Sequence, residues 1–197
     1  VTTIVGIQGK NWSLLGADSR ITDDSTIYAL PKNLSKIIEV NDNLWVAVAG
    51  DLRAINIVRS NLASSTKLLS VRKAPNNQDG DDYFLGNYFI PEMRKIFSHQ
   101  GYEKTTEGLS SVDSEFLISY YGRIYAVGAD YSWVQDSRGL YSIGSGGDIA
   151  LGALSALAST PMMKSAARKM ATRALEIACS YNADSSPPYV VKVWSET

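Results

Sequence analysis

Histidine and cysteine are nearly absent: one of each occurs in 197 residues. The lone Cys179 cannot close an internal disulfide, so no disulfide framework is available. One His and one Cys also argue against a zinc site built on those residues. Charge of either sign is not in excess, with 19 Lys+Arg against 20 Asp+Glu and a formal net charge of −1. A general nucleic-acid binder is usually basic overall, so no nucleic-acid partner is expected. Long apolar runs are missing too. The longest, such as Leu44 to Ala49, fall far short of the roughly 20 residues that span a bilayer. No charged segment followed by a long apolar one opens the chain, so neither a membrane partner nor a secretory leader is expected. These absences point to a cytoplasmic protein. His99 sits in the polar stretch Phe97-Ser98-His99-Gln100, which offers no buried partner to orient it, so a triad using it is disfavoured. The chemistry is left to Thr, Ser, Lys and carboxylates.

What is present is ordinary core material. At 45% apolar and 20% charged residues, the chain reads as one globular domain over 1–197. Thr3 to Ile7 and Trp12 to Ala17, joined by Gly9-Lys10-Asn11, read as a hairpin. Ser19 to Ala29 is polar and irregular. Ser35 to Val40 and Leu44 to Ala49 form a second strand pair around Asn41-Asp42-Asn43. After Gly50 the period changes. Leu52, Ile55, Val58 and Leu62 recur at three and four, which predicts an amphipathic helix. Asn76 to Asp82 reads as a loop, and a helix is expected from about Tyr88 to Gln100, with Pro91 in its first turn. Strands follow over Glu115 to Tyr120 and Arg123 to Val127, and Tyr141 to Gly147 reads as a strand feeding a glycine turn. Helices over Asp148 to Ala158 and Ser165 to Cys179 come next, then a closing strand over Tyr189 to Trp194. Segregated hairpins and paired helices predict an α+β fold of two antiparallel sheets covered by helices.

Four features carry candidate chemistry. A threonine at a mature terminus is nucleophile and base in one residue, because its α-amine can take the hydroxyl proton. The chain begins Val1-Thr2-Thr3. Gly16-Ala17-Asp18-Ser19-Arg20 places a carboxylate just after an apolar strand, where it can hold a cation. Lys36 opens the strand Ile37-Ile38-Glu39-Val40 and can lend positive field to a nucleophile. Gly144-Ser145-Gly146-Gly147 offers a hydroxyl and free backbone N–H groups. Each alone has a plain structural explanation: a strand-starting Thr, a solvent-facing Asp, a strand-edge Lys and a helix-capping Ser.

Taken in this order, Thr2-Thr3-Ile4-Val5, Gly16 to Arg20, Lys36 to Glu39, Ala49-Gly50 and Gly144 to Gly147 resemble the proteasome β-subunit family of N-terminal-nucleophile hydrolases. The resemblance spans nearly the whole chain and is to a divergent bacterial or phage-borne member. The Gly-Ser-Gly-Gly helix start, and an expected absence of a propeptide, are most similar to the bacterial peptidase subunit that partners an unfoldase. The Ala-Asp-Ser-Arg segment is closer to proteasome β-subunits.

The resemblance implies a four-layer αββα sandwich and a threonine peptidase acting on unfolded polypeptide inside stacked homo-oligomeric rings. The rings would have six or seven members and an AAA+ unfoldase as partner, and no cofactor or metal is implied. Thr2 would be the nucleophile and its freed amine the base. Lys36 would lower the hydroxyl's proton affinity, Asp18 would pair with Lys36, and Gly50 would donate its N–H to the oxyanion. Ser145 would relay the amine's proton, and Ile38 and Val48 would line an apolar substrate pocket. In Asn182-Ala183-Asp184-Ser185-Ser186, Ser185 fits the family's serine slot. Asn182 stands where the family has an acid, with Asp184 adjacent and out of register. Val1 is expected to be removed as a start residue. Its retention implies the alternative, a catalytically silent ring or shell component. An amidase of the same superfamily is a third reading.

Overall fold

The computed structural model describes residues 2–23, 25–31, 33–69, 78–159 and 162–196. Two antiparallel sheets form the centre. The first has the order β12-β1-β2-β13, from Ile4–Gln8 (β1), Trp12–Ala17 (β2), Leu140–Ile143 (β12) and Val190–Ser195 (β13). The second runs β11-β10-β9-β6-β5, from Ile37–Asn41 (β5), Leu44–Gly50 (β6), Ser114–Tyr120 (β9), Arg123–Val127 (β10) and Trp133–Val134 (β11). Helices α5 (Gly147–Leu157) and α6 (Lys164–Tyr181) cover the first sheet. The second is covered by α1 (Leu52–Ile57), α2 (Thr66–Leu69), α3 (Gln78–Phe84) and α4 (Ile90–His99), with π-helical turns at Val58–Leu62 and Leu85–Phe89.

Strand periodicity sorts the side chains into three apolar layers. On β6, Leu44, Val46 and Val48 pack toward the helices with Ile55, Phe89 and Phe97. Trp45, Ala47 and Ala49 face the other sheet, with Ile4, Leu15 and Leu117. On β1 and β2, Val5, Ile7 and Leu14 meet Leu154, Ala171 and Leu175 of α5 and α6. Each fully buried aliphatic side chain contributes about 1.5–3 kcal/mol, so the three layers hold the four-layer αββα sandwich together. The antiparallel sheets and flanking helices match the architecture expected from the sequence.

Two segments differ from the sequence reading. The polar stretch 19–29 contains a hairpin, Arg20–Asp23 (β3) with Thr26–Ala29 (β4), whose second strand is exposed throughout. A strand that buries neither face carries no period-2 signal. The segment 76–82, read as a loop, is helical from Gln78 onward, and residues 76 and 77 lie outside the described residues. Its anchor is tertiary. Asp81, 3% exposed, accepts 2.7 Å hydrogen bonds from Arg123 and from Tyr125 on β10. A short exposed hairpin, Lys104–Thr106 (β7) with Leu109–Ser111 (β8), completes the strands.

Candidate active site

Antiparallel pairing gathers one end of the sandwich. Ile4 pairs with Ala17 on one side and Ile143 on the other, so Thr2 and Thr3 lie beside Asp18 and Gly144. In the second sheet Ile37 pairs with Ala47, and Val48 N–H donates to Lys36 O at 3.0 Å. Lys36 and Gly50 therefore sit at the same end. An ideal Cβ on Gly144 would fall 2.3 Å from Thr2 O and 3.2 Å from Ala49 Cβ, which brings the two sheets' termini together at that point. With φ at +87°, that position suits glycine alone.

Lys36 is fully buried. Its Nζ donates to Thr2 Oγ1 at 2.9 Å and to Asp18 Oδ1 at 2.8 Å. The backbone around it is fixed by Ser35, whose Oγ accepts from Ile37 N–H and whose carbonyl accepts from Arg59. Asp18 is held as firmly: Thr3 N–H donates to Oδ1, and Arg20 and Ser186 N–H donate to Oδ2. Burial pushes the Lys36 ammonium below its ordinary value, and the neighbouring Asp18 carboxylate pulls it back in part. An ammonium with that much desolvation, aimed at a hydroxyl, stabilises an alkoxide more than one in water would. Cys179 on α6 interacts electrostatically with both Asp18 and Lys36, and burial raises its thiol.

The two threonines take different partners. Thr2 meets Lys36, whereas Thr3 Oγ1 lies 2.7 Å from Ser185 Oγ, both buried. Ser145, exposed at the start of α5, donates to Thr2 O at 3.5 Å. It does not cap α5, whose N-cap is Gly146. Asn182 Nδ2 donates to Ser145 Oγ at 3.0 Å, and Asp184 points only its backbone N–H at this cluster, toward Asn182 Oδ1. Thr2, Asp18, Lys36, Ser145, Asn182 and Ser185 are thus brought together. Gly50, with φ +137°, ends β6 against Ser114. It borders a cleft of about 630 Å3 lined also by Thr22, Asp23, Arg53, Asn56 and Asp113.

Ile38 and Val48 are not among the residues lining that cleft. Both are buried in the layer beneath the helices, because the period-2 alternation turns them inward. Several contributors went unread in the sequence. Glu115 on β9, which accepts the Gly144 N–H at 3.0 Å, and the Ser186 N–H come from distant segments and carry no local signal. Thr3 stood inside the motif without an assigned partner. Among the described residues no group of His, Cys, Asp or Glu is placed to hold a metal, and no helix is long and apolar enough to cross a membrane.

Comparison with known proteins bears on the fold. Residues 1–74 match the family described as "Proteasome subunit". Over 114 residues, 49% of the chain, the sequence is 36% identical to proteasome subunit beta 2 of Pyrococcus furiosus and spans 54% of that relative's length. The Thiobacillus denitrificans protein BPH, solved in complex with epoxomicin, superposes with a TM-score of 0.77 at 22% identity over 98% of each chain. Eukaryotic HslV from Trypanosoma brucei superposes at 0.66 and 18% identity over 99% of this chain and 100% of its own. At those identities the two structures speak to the fold. The match over residues 1–74 and the archaeal relative make the chain similar to proteasome subunits, and its fold is shared with the two solved structures.

Proposed function

We propose that the chain is a threonine endopeptidase in which Thr2 becomes active once it is the first residue. The observation that carries this reading is the buried chain Thr2 Oγ1–Lys36 Nζ–Asp18 Oδ1, at 2.9 and 2.8 Å. While any residue precedes Thr2, its nitrogen is an amide and cannot act as a base. Once freed, the α-amine takes the hydroxyl proton as Oγ1 attacks a peptide carbonyl. Lys36 stabilises the developing alkoxide, and Gly50 N–H serves the oxyanion, a donor typically worth roughly 3 kcal/mol. The resulting ammonium returns its proton to the leaving amine as the peptide bond breaks. Water then hydrolyses the Thr2 ester, with the amine again as base. Unfolded polypeptide is the substrate, entering stacked rings of this chain supplied by an AAA+ unfoldase. The cleft beside Gly50 receives a substrate side chain above the layer that holds Ile38 and Val48.

The test pairs processing with activity. Intact mass is expected to show a mature terminus at Thr2, and light scattering a ring. Peptide hydrolysis is expected to vanish in Thr2→Ala with assembly unchanged, and epoxomicin is expected to block the wild type. Hydrolysis that persists in Thr2→Ala overturns the assignment. A ring with an unprocessed terminus and no activity establishes the silent shell component instead.

A further inference from the structure

At the end of the sandwich away from Lys36, the space between the two sheets opens to the surface. Ser13 on β2 and Ser119 on β9 meet there across the sheets, Oγ to Oγ at 2.7 Å and buried. Each serine has a tryptophan as its cross-strand neighbour, Trp194 opposite Ser13 and Trp45 opposite Ser119. Residues directly opposite one another share a face of their sheet. The serine pair therefore ties together the two positions that carry the indoles, one from each sheet. Both indoles belong to the apolar layer between the sheets. Outside it lies a cleft of about 650 Å3, whose lining includes Trp45, Trp194, Tyr121, Asp42 and Glu196.

The walls of this cleft are fixed by contacts within the fold. A Cβ on Gly122 would fall 2.5 Å from Trp194 Cζ3, so the indole rests directly on the backbone of that turn. The Tyr121 ring meets Trp194 edge-on, with centroids 6.4 Å apart, and Tyr120 at 4.8 Å. Tyr121 N–H donates to Asn43 O at 2.8 Å, and Glu196 N–H to Asn11 O at 3.2 Å. Lys192, two residues before Trp194 and on the same face of β13, is engaged by Glu39 at 2.7 Å. Asp42 and Glu196 are exposed. Three aromatic side chains and two carboxylates thus border one opening, and both kinds of group attract a cation. A guanidinium suits the combination best, because its flat faces stack on indole while its edge N–H groups reach carboxylates.

We propose that this cleft is a binding site for a guanidinium group, carried by free arginine or by an arginine side chain of a polypeptide. The aromatic walls take the face of the group, and Asp42 and Glu196 take its N–H edge. The site lies at the far end of the sandwich from Thr2 and does not depend on the peptidase reading.

The test is calorimetric titration of the protein with N-acetylarginine amide. Saturable binding at one site per chain is expected. N-acetylcitrulline amide, the uncharged isostere, and N-acetyllysine amide are each expected to bind about tenfold more weakly or worse. Asp42→Asn combined with Glu196→Gln is expected to weaken arginine amide binding by about threefold to tenfold. Trp194→Leu, checked for folding by its thermal melt, is expected to weaken it by about fivefold. Both carboxylates are exposed, so the double variant decides the matter should Trp194→Leu fail to fold. No saturable binding overturns the proposal, as does citrulline or lysine amide binding as tightly as arginine amide. Unchanged affinity in the double variant, or in folded Trp194→Leu, overturns it equally. A hexapeptide with one arginine among glycines and serines separates the sources. Tighter binding of the peptide assigns the site to polypeptide arginine and equal binding to the free compound, and either supports the proposal.

Discussion

Replacing Lys36 with methionine keeps much of the side-chain length and removes the charge from a fully buried site. Lys36 and Asp18 are both fully buried as side chains and paired at 2.8 Å. Breaking a buried pair by removing one partner typically costs about 3–5 kcal/mol. Asp18 keeps three backbone donors, from Thr3, Arg20 and Ser186, so the low end applies, about 3 kcal/mol. At about 2–4 °C per kcal/mol for a domain of this size, Tm should fall by roughly 6–12 °C. The barrier suffers independently. Losing one preorganised charge beside the Thr2 alkoxide is worth roughly 3 kcal/mol, and each 1.36 kcal/mol is about tenfold, so turnover should drop by about 100-fold or more. Circular-dichroism melts and single-turnover cleavage of a fluorogenic peptide read the two effects separately. Arginine should not rescue activity, because its planar fork cannot fill the ammonium's place between two oxygens 2.8 and 2.9 Å away. Wild-type turnover in a folded Lys36→Met protein would refute the reasoning outright.

Three further outcomes are expected. Because burial lowers the Lys36 ammonium below 10.5, kcat/KM should fall on the alkaline side before exposed lysines titrate. An alkaline limb that survives past the lysine range would contradict the role given to that charge. Gly50→Ala should cost more than about 1–3 kcal/mol, since its Cβ would enter at φ +137° and 2.4 Å from Ser114 Oγ; unchanged urea midpoints would show that β6 ends differently. Burial raises Asp81 above 3.8 against the opposing pull of Tyr125 and Arg123. The folded state then holds the proton more tightly than the unfolded chain, so this group's stabilisation is complete below 3.8 and declines as pH rises through the folded value. The stability difference between wild type and Asp81→Asn should shrink over that window in urea titrations, and a difference that grows would reverse the assigned sign.

The strands and helices that bury a face were legible because burial writes a period into the sequence. Leu44 to Gly50 alternates between two apolar layers, and Leu52 to Leu62 repeats at the helical spacing. Those segments established the fold class without reference to any partner. The hairpin at Arg20–Asp23 and Thr26–Ala29 escaped, since β4 buries nothing. The helix from Gln78 to Phe84 escaped because Asp-Gly-Asp-Asp is loop chemistry locally, and what makes it helical is Asp81 meeting Arg123 and Tyr125 on a strand some forty residues away.

The site divides along the same line. The residue types on hand were readable from the chain alone: two threonines near the start, an aspartate ending one apolar strand, a lysine opening another, and a glycine-flanked serine. Folding was needed to settle which threonine meets the lysine, that Ile38 and Val48 are buried in the layer beneath the helices, and which way the Asn182 amide points. The difference is one of reach. Hydrophobic periodicity is a property of neighbours along the chain, whereas a hydrogen bond between Lys36 and Thr2 exists only after antiparallel pairing has carried separate strand ends to one end of the sandwich.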